Sequence, residues 1–155
     1  MKKKIIVLIV STCVIVVVVV FLIVSGFFQT PNQTWLKETP KEVYVTNYMM
    51  GAVLTPILDQ EERNKALQLV NDIDFRGKNL QSYDGVAGTY SYSVTLVYSD
   101  YSVSYLIHGG AGDIAITVNE KLTEYWADAA TVSNLENFLR EYYDNHSSDL
   151  DFNRK

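Results

Sequence analysis

The feature that most constrains this chain is a run of 24 residues without a charge, from Ile5 to Phe28. At about 1.5 Å per residue, a helix of this length crosses the hydrocarbon core of a bilayer, which needs about 20 apolar residues. Three lysines at positions 2–4 precede the run, and positive charge favours the cytoplasmic side. The sequence therefore predicts a single-pass protein of the cell membrane. Residues 1–4 form a cytoplasmic tail, 5–28 a transmembrane helix, and the C-terminal part lies outside the cytoplasm.

Cleavage of the run as a signal peptide is an alternative. A cleavable signal has an apolar core of about 7–15 residues, which is shorter than this run, although Val24-Ser25-Gly26 offers small residues at a cleavage point. A lipoprotein signal requires a cysteine after the apolar core, whereas Cys13 lies inside the run. Because Cys13 is the one cysteine of the chain, no intrachain disulfide or thiolate metal site can form.

The charge balance excludes some partners of the outer part. The chain has 13 Lys+Arg, 18 Asp+Glu and a net charge of −5. Without the three N-terminal lysines, the net charge of the remainder is −8 (−5 minus 3). An acidic domain repels phosphate backbones, so we expect no nucleic-acid partner. After the apolar run there is room for one compact domain.

A linker, a domain and a tail are predicted after the run. Residues 29–42 read QTPNQTWLKETPKE, whose prolines and polar residues are typical of an extended linker. Trp35 interrupts it, and either lies near the lipid headgroups or packs on the domain. Residues 43–145 form the extracytoplasmic domain, and 146–155 form a polar C-terminal tail.

Two helices and a first strand are indicated within the domain. A strand is expected over Val43–Met50, and Val53–Leu58 continues it or returns as an edge strand, because Pro56 cannot donate to a neighbour. Capping boxes at 59–62 and 133–136 mark the starts of two amphipathic helices. The first helix ends near residue 73, and a polar loop follows to about residue 88.

A hairpin is the clearest pattern of the domain. Apolar and hydroxyl residues alternate along 90–98 and 101–108, and a two-residue turn at Ser99-Asp100 brings residues of the same face opposite each other. The predicted pairs are Tyr98 with Tyr101, Leu96 with Val103, Val94 with Tyr105 and Tyr92 with Ile107. A third strand over 114–118 and a fourth over 121–127 continue the meander around a turn at Asn119-Glu120. Either Leu122 or Tyr125 of the fourth strand faces inward.

The predicted fold class is α+β. A transmembrane helix is followed by an antiparallel β-meander sheet with two helices packed on one face. The other face carries mostly hydroxyl groups and looks at solvent or at a partner.

The glycine-rich segment 108–113, HGGAGD, suggests a phosphate-binding loop. Such a loop needs a helix after it, whereas a strand follows here, so a hairpin loop is the better interpretation. His108 shares a face with Ser102 and Ser104, but no nucleophile elbow accompanies a Ser/His pair. The tail begins like a calcium loop at Asp149 and lacks the later Gly and Glu. We therefore predict no catalytic, cofactor or metal site.

Tyrosines along the hairpin either build the core under the helices or form a platform for sugars or peptides. The core is favoured, because the helices need this face to bury their apolar stripes. Tyr98 and Tyr101 at the hairpin tip are the expected exceptions. The candidate interaction surface consists of Tyr98, Tyr101, Ser102, Ser104 and His108.

In layout, the whole chain resembles uncharacterised small membrane-anchored extracytoplasmic proteins of Gram-positive bacteria. The resemblance lies in the lysine-started span, the short linker and the small β-α-β-meander-α domain, whose last helix reads LENFLREYY. It implies a bacterial cell-surface location and transfers no activity and no functional residue.

The functional hypothesis is a non-catalytic binding module that meets a peptide, a wall component or another envelope protein. The first alternative is a small cell-surface enzyme or enzyme inhibitor that uses His108 and nearby hydroxyls. The second is the sensory outer domain of a membrane complex, although a four-residue inner tail is short for signalling.

Overall fold

A computed structural model describes residues 11–21, 31–79, 90–108 and 112–146. The chain divides into two compact units, residues 1–30 and 31–155. In the first unit, residues 11–21 are helical and Cys13 is exposed and unpaired. Nowhere in the described ranges is there a helix long and apolar enough to cross a bilayer. Residues 5–10 and 22–28 of the predicted span lie outside the described residues.

The described part of the second unit contains three α-helices and seven strands. In chain order they are α1 (Pro31–Trp35), β1 (Glu42–Asn47), β2 (Val53–Pro56), α2 (Gln60–Asn71), β3 (Phe75–Lys78), β4 (Tyr90–Val97), β5 (Ser102–His108), β6 (Asp113–Val118), β7 (Lys121–Ala127) and α3 (Ala129–His146). A single 3-10 turn, Tyr48–Met50, joins β1 to β2.

The seven strands form one antiparallel sheet in the order β2-β1-β4-β5-β6-β7-β3. Buried residues of α2 and α3, such as Val70 and Leu139, share one core with Val45, Val94 and Ile116 of the sheet. The helices therefore cover one face, here called the helix face, and the prediction of an antiparallel α+β domain is confirmed. The opposite face is called the open face.

The predicted register of the β4–β5 hairpin is confirmed. Leu96 lies opposite Val103, and the next pairs along the hairpin follow as the alternation requires. The amide of Tyr98 donates to the carbonyl of Tyr101 at 2.9 Å and closes the turn. Strict alternation fixes this register, because a slip by one residue would expose every apolar side chain.

The prediction of an extended linker over residues 29–42 is wrong for the described part from residue 31. Residues 31–35 form α1, and Asn32 is buried. The Asn32 amide donates to the carbonyls of Val70 (2.7 Å) and Asn71 (3.1 Å), and its oxygen accepts from the Tyr105 hydroxyl (3.3 Å). Since the last carbonyls of a helix lack partners within it, Asn32 satisfies the end of α2. Trp35 packs on the domain.

Element boundaries differ from the predictions in three places. The first strand ends at Asn47, whose side chain accepts from the amide of Met49 and starts the 3-10 turn. Helix α3, the second of the two predicted helices, starts at Ala129, four residues before the predicted capping box, because Asp128 caps it. The segment Phe75–Lys78, predicted to lie in the polar loop after the first helix, is the edge strand β3. The other edge strand, β2, contains Pro56, as predicted.

Candidate interaction surface

The five candidate residues from the sequence lie on two faces of the sheet. Tyr98 is 4% exposed, and its ring stacks on that of Tyr101 with centroids 4.7 Å apart. The Tyr101 ring in turn lies 6.0 Å from that of Trp35 in α1. Burial raises the pKa of Tyr98 to about 12. Tyr98 therefore belongs to the core, contrary to the expectation that it is exposed at the hairpin tip.

The other three candidates lie on the open face. Ser102, Ser104 and His108 alternate with the buried residues of β5 and are half-buried. The hydroxyl of Ser104 bonds to that of Thr95 at 2.9 Å. His108 follows Ser104 by four positions of an extended strand, which is about 13 Å. The structure therefore does not bring the serines and His108 together as a Ser/His pair.

The centre of the open face is less accessible than the hydroxyl pattern predicts. Ser93 is fully buried, and its hydroxyl donates to that of Tyr48 at 3.5 Å. Tyr48 belongs to the 3-10 turn after β1, so this turn leans over the sheet.

A β-bulge moves Tyr90 to the open face. The register of β4 and β5 shifts between Tyr90 and Tyr92, so that Tyr90 pairs with His108. The two rings lie 4.3 Å apart, and the Tyr48 ring lies 6.3 Å from that of Tyr90. The prediction that Tyr90 shares the face of Tyr92 is therefore wrong, because a bulge inverts the alternation. Ser91 faces the helices instead and donates to Glu136 at 2.9 Å.

Two carboxyl groups and a tryptophan stand on the same face. Asp113 of β6 lies opposite Trp126 of β7, and Ala115 lies opposite Glu124. Because Ile114 and Ile116 point into the core, these four residues point to the open face. We name six residues the open-face cluster: Tyr48, Tyr90, His108, Asp113, Glu124 and Trp126.

The carboxyl groups of the open-face cluster lack donors. Oδ1 of Asp113 and Oε2 of Glu124 are enclosed and accept no hydrogen bond from any residue that the structure describes. The ion pairs formed among the described residues join Arg76 to Asp74 and Asp128, and Arg140 to Glu136, so none of them involves Asp113 or Glu124. Desolvation raises the pKa of Asp113, and nearby His108 partly opposes that rise. Unpaired, partly desolvated carboxylates gain free energy from a cation.

Exposed apolar side chains flank the cluster. Met49 and Met50 are 68% and 61% exposed, and Leu54 of β2 is 55% exposed. Leu54 lies opposite Thr46 and therefore on the open face. Trp126 is 42% exposed. Exposed apolar groups and aromatic rings on one face are typical of protein interaction sites.

A groove lies between α2 and α3, away from the open-face cluster. This groove of about 480 Å³ is lined by four carboxylates, Lys65, Phe138, Tyr142 and Asn145. The Lys65 ammonium already lies 5.4 Å from the centroid of the Phe138 ring. The ammonium group of Lys65 therefore already covers the aromatic ring of this groove. Within the part of the chain that the structure describes, no three His, Cys, Asp or Glu side chains come together as a metal site.

The fold and this surface define a small α+β domain with an aromatic, acidic face. Comparison with known protein families, curated proteins and solved structures finds no match to the chain.

Sequence reasoning missed the β6–β7 half of the cluster, although the signal was present. A two-residue turn at Asn119-Glu120 places Asp113 opposite Trp126, and the structure has this turn and this pairing. The structure also settles the fourth strand: Tyr125 packs on the core, and Leu122 is 47% exposed. Tyr48 and the inverted Tyr90 depend on the 3-10 turn and the bulge, which leave no periodic signal.

Proposed function

We propose that this protein is a membrane-anchored extracytoplasmic binding module without catalytic activity, which docks an envelope protein or peptide through the open-face cluster. The observation that carries the proposal is the position of the two long helices. Both α2 and α3 pack on the helix face, so the rings of Tyr48 and Trp126 stay accessible on the opposite side. Uncovered aromatic residues on a rigid sheet bind with little loss of conformational entropy.

The flexible groups beside the rings support a docking role. Met49 and Met50 follow Tyr48 on an exposed turn, and Leu54 extends the apolar area along β2. Methionine adapts its shape to irregular partner surfaces. A peptide or protein segment laid across this face would cover these side chains and the Trp126 ring together.

Hydrolysis by His108 with a serine is disfavoured on geometry. The Ser104 hydroxyl is engaged with Thr95 at 2.9 Å, and the His108 ring packs at a tilt against the Tyr90 ring, with centroids 4.3 Å apart. A nucleophile and its base must lie within hydrogen-bond reach, whereas four strand positions separate these two residues by about 13 Å.

The anchor in this proposal is the apolar run over residues 5–28, with residues 1–4 in the cytoplasm. Its support is the charge-free length and the three lysines before it. In a Cys13→Ala background, Lys37→Cys places one thiol at an exposed position of the outer domain. We expect a membrane-impermeant maleimide to label intact cells carrying this variant. Labelling only after lysis, or the protein in the soluble fraction, would contradict the anchored topology.

Docking is tested by photo-crosslinking in intact cells. A benzoylphenylalanine at position 49 replaces Met49 beside the cluster, and the matched control replaces Leu58, which is 85% exposed beyond the far end of β2. We expect a discrete crosslinked product from position 49 and none from position 58. Equal products from both positions, or none from position 49, would contradict docking at the open face.

A further inference from the structure

We propose that the partner presents an arginine side chain to Asp113 and Glu124 between the rings of the open-face cluster. This inference rests on the proposed function, because it names the chemistry of the partner at the same surface. It rests on geometry, on missing donors and on charge.

The geometry places both carboxyl groups on one patch. Asp113 pairs with Trp126, and Glu124 precedes Trp126 by two positions on the same face. The Cα atoms of diagonal neighbours of this kind in an antiparallel pair lie about 7–8 Å apart. Ala115, the residue opposite Glu124, is fully buried, so neighbouring side chains cover the sheet between the two carboxyl groups.

The missing donors show what the patch requires. Oδ1 of Asp113 and Oε2 of Glu124 accept no hydrogen bond, and none of the ion pairs of the described residues reaches them. Each carboxylate loses water without gaining a donor among the described residues, and a cation beside the carboxylate compensates for that loss. His108 is the basic group that acts on Asp113, but its ring packs at a tilt of 56° against that of Tyr90.

The rings select the cation. Guanidinium is planar, weakly hydrated and able to stack on an aromatic face while it pairs with carboxylates, whereas ammonium is compact and strongly hydrated. Trp126 is exposed directly opposite Asp113. Burial raises the pKa of the Tyr90 phenol, and the nearby carboxylate of Glu124 raises it further. The net charge of −8 outside the N-terminal lysines (−5 minus 3) also attracts a basic partner.

The two tryptophans of the chain allow a direct measurement. Trp35 packs near the β4–β5 turn, at the opposite end of the sheet from Trp126. In the full-length Trp35→Phe protein in neutral detergent micelles, Trp126 is the sole tryptophan. The probe is the blocked peptide acetyl-Gly-Arg-Gly-amide, and its matched control carries citrulline, which has the same shape without the charge.

We expect the arginine peptide to change Trp126 fluorescence saturably and the citrulline peptide to bind at least about tenfold more weakly, as the loss of a charged hydrogen bond requires. Asp113→Asn and Glu124→Gln should each weaken the arginine peptide by a similar factor. Glu61→Gln, an exposed carboxylate in the helix groove, should leave binding unchanged. Thermal midpoints no lower than that of the parent protein show that the isosteric variants remain folded.

Equal binding of the two peptides, or no response to the arginine peptide at millimolar concentration, would overturn the arginine inference. Binding that Glu61→Gln weakens while Asp113→Asn and Glu124→Gln do not would overturn it as well, because the site would then be the groove between α2 and α3. Crosslinking from position 49 does not depend on these peptides. A persistent crosslink with failed peptides therefore rejects the arginine inference and leaves docking in place.

Discussion

Asn32→Ala tests whether the segment before β1 is a structural part of the domain. Asn32 is 9% exposed and donates to the carbonyls of Val70 at 2.7 Å and Asn71 at 3.1 Å. It also accepts from the Tyr105 hydroxyl at 3.3 Å. Alanine removes all three bonds and leaves the enclosed phenol of Tyr105 without this acceptor.

The expected cost follows from these contacts. A buried hydrogen bond contributes about 1 kcal/mol net, and a buried group left unpaired costs about 1–3 kcal/mol. The Val70 carbonyl keeps a second donor, the amide of Ile73 at 3.3 Å. The total loss of stability therefore stays near the lower end of what these contributions allow. We expect a loss of about 2 kcal/mol in the free energy of unfolding, or about 8 °C in Tm for a domain of this size.

Urea unfolding followed by tryptophan fluorescence measures this loss. The control is Lys37→Ala, an exposed residue of the same segment, which should change the free energy of unfolding by less than about 0.5 kcal/mol. Tyr105→Phe combined with Asn32→Ala should cost less than the two single losses added, because the variants share one bond. A loss below about 0.5 kcal/mol for Asn32→Ala would refute the docked segment and restore the extended linker.

Two further predictions concern the backbone and the open face. Gly112→Ala should lower the free energy of unfolding at least about twice as much as Gly51→Ala. Both glycines have positive φ (+72 and +96), which alone costs an alanine about 1–2 kcal/mol, but only at Gly112 would a Cβ meet backbone, 2.9 Å from the Ala127 carbonyl oxygen. Equal urea midpoints for the two variants would contradict this clash. Because desolvation raises the folded-state pKa of Asp113 above its ordinary value, the folded state favours the protonated carboxyl there. Stability from this group is therefore present at low pH and is lost as pH rises through the raised pKa. Asp113→Asn should flatten the fall in urea midpoint above about pH 4, and parallel pH profiles for the two proteins would count against this explanation.

The parts of the fold that follow local patterns were predictable from the sequence. The β4–β5 register follows from the alternation from Tyr92 to Ile107, because burial of one face leaves a single pairing. The start of α2 follows from Asp59, which accepts from two free amides of the first turn.

The parts that depend on distant partners were not predictable in this way. Asn32 reads as a linker residue because its carbonyl partners lie 38 and 39 positions away. Phe75–Lys78 carries a glycine and two basic residues, and becomes a strand only because β7 offers a free edge. For the interaction surface, Ser102, Ser104 and His108 were correctly placed on one face, whereas Tyr90 required knowledge of a bulge.

The sheet order also has a consequence for assembly of the domain. From β4 to β7, each strand pairs with the next one along the chain, and such short-range pairings form quickly. Their two outer members are then closed by the first half of the chain, with β1 beside β4 and β3 beside β7. A fragment that began at Tyr90 would carry two bare edges, the arrangement that lets identical chains stack on each other. The first half of the chain thus moves the edges of the sheet to β2, which contains Pro56, and to β3, which carries Arg76 and Lys78, and proline and charge on an edge strand oppose pairing with another chain.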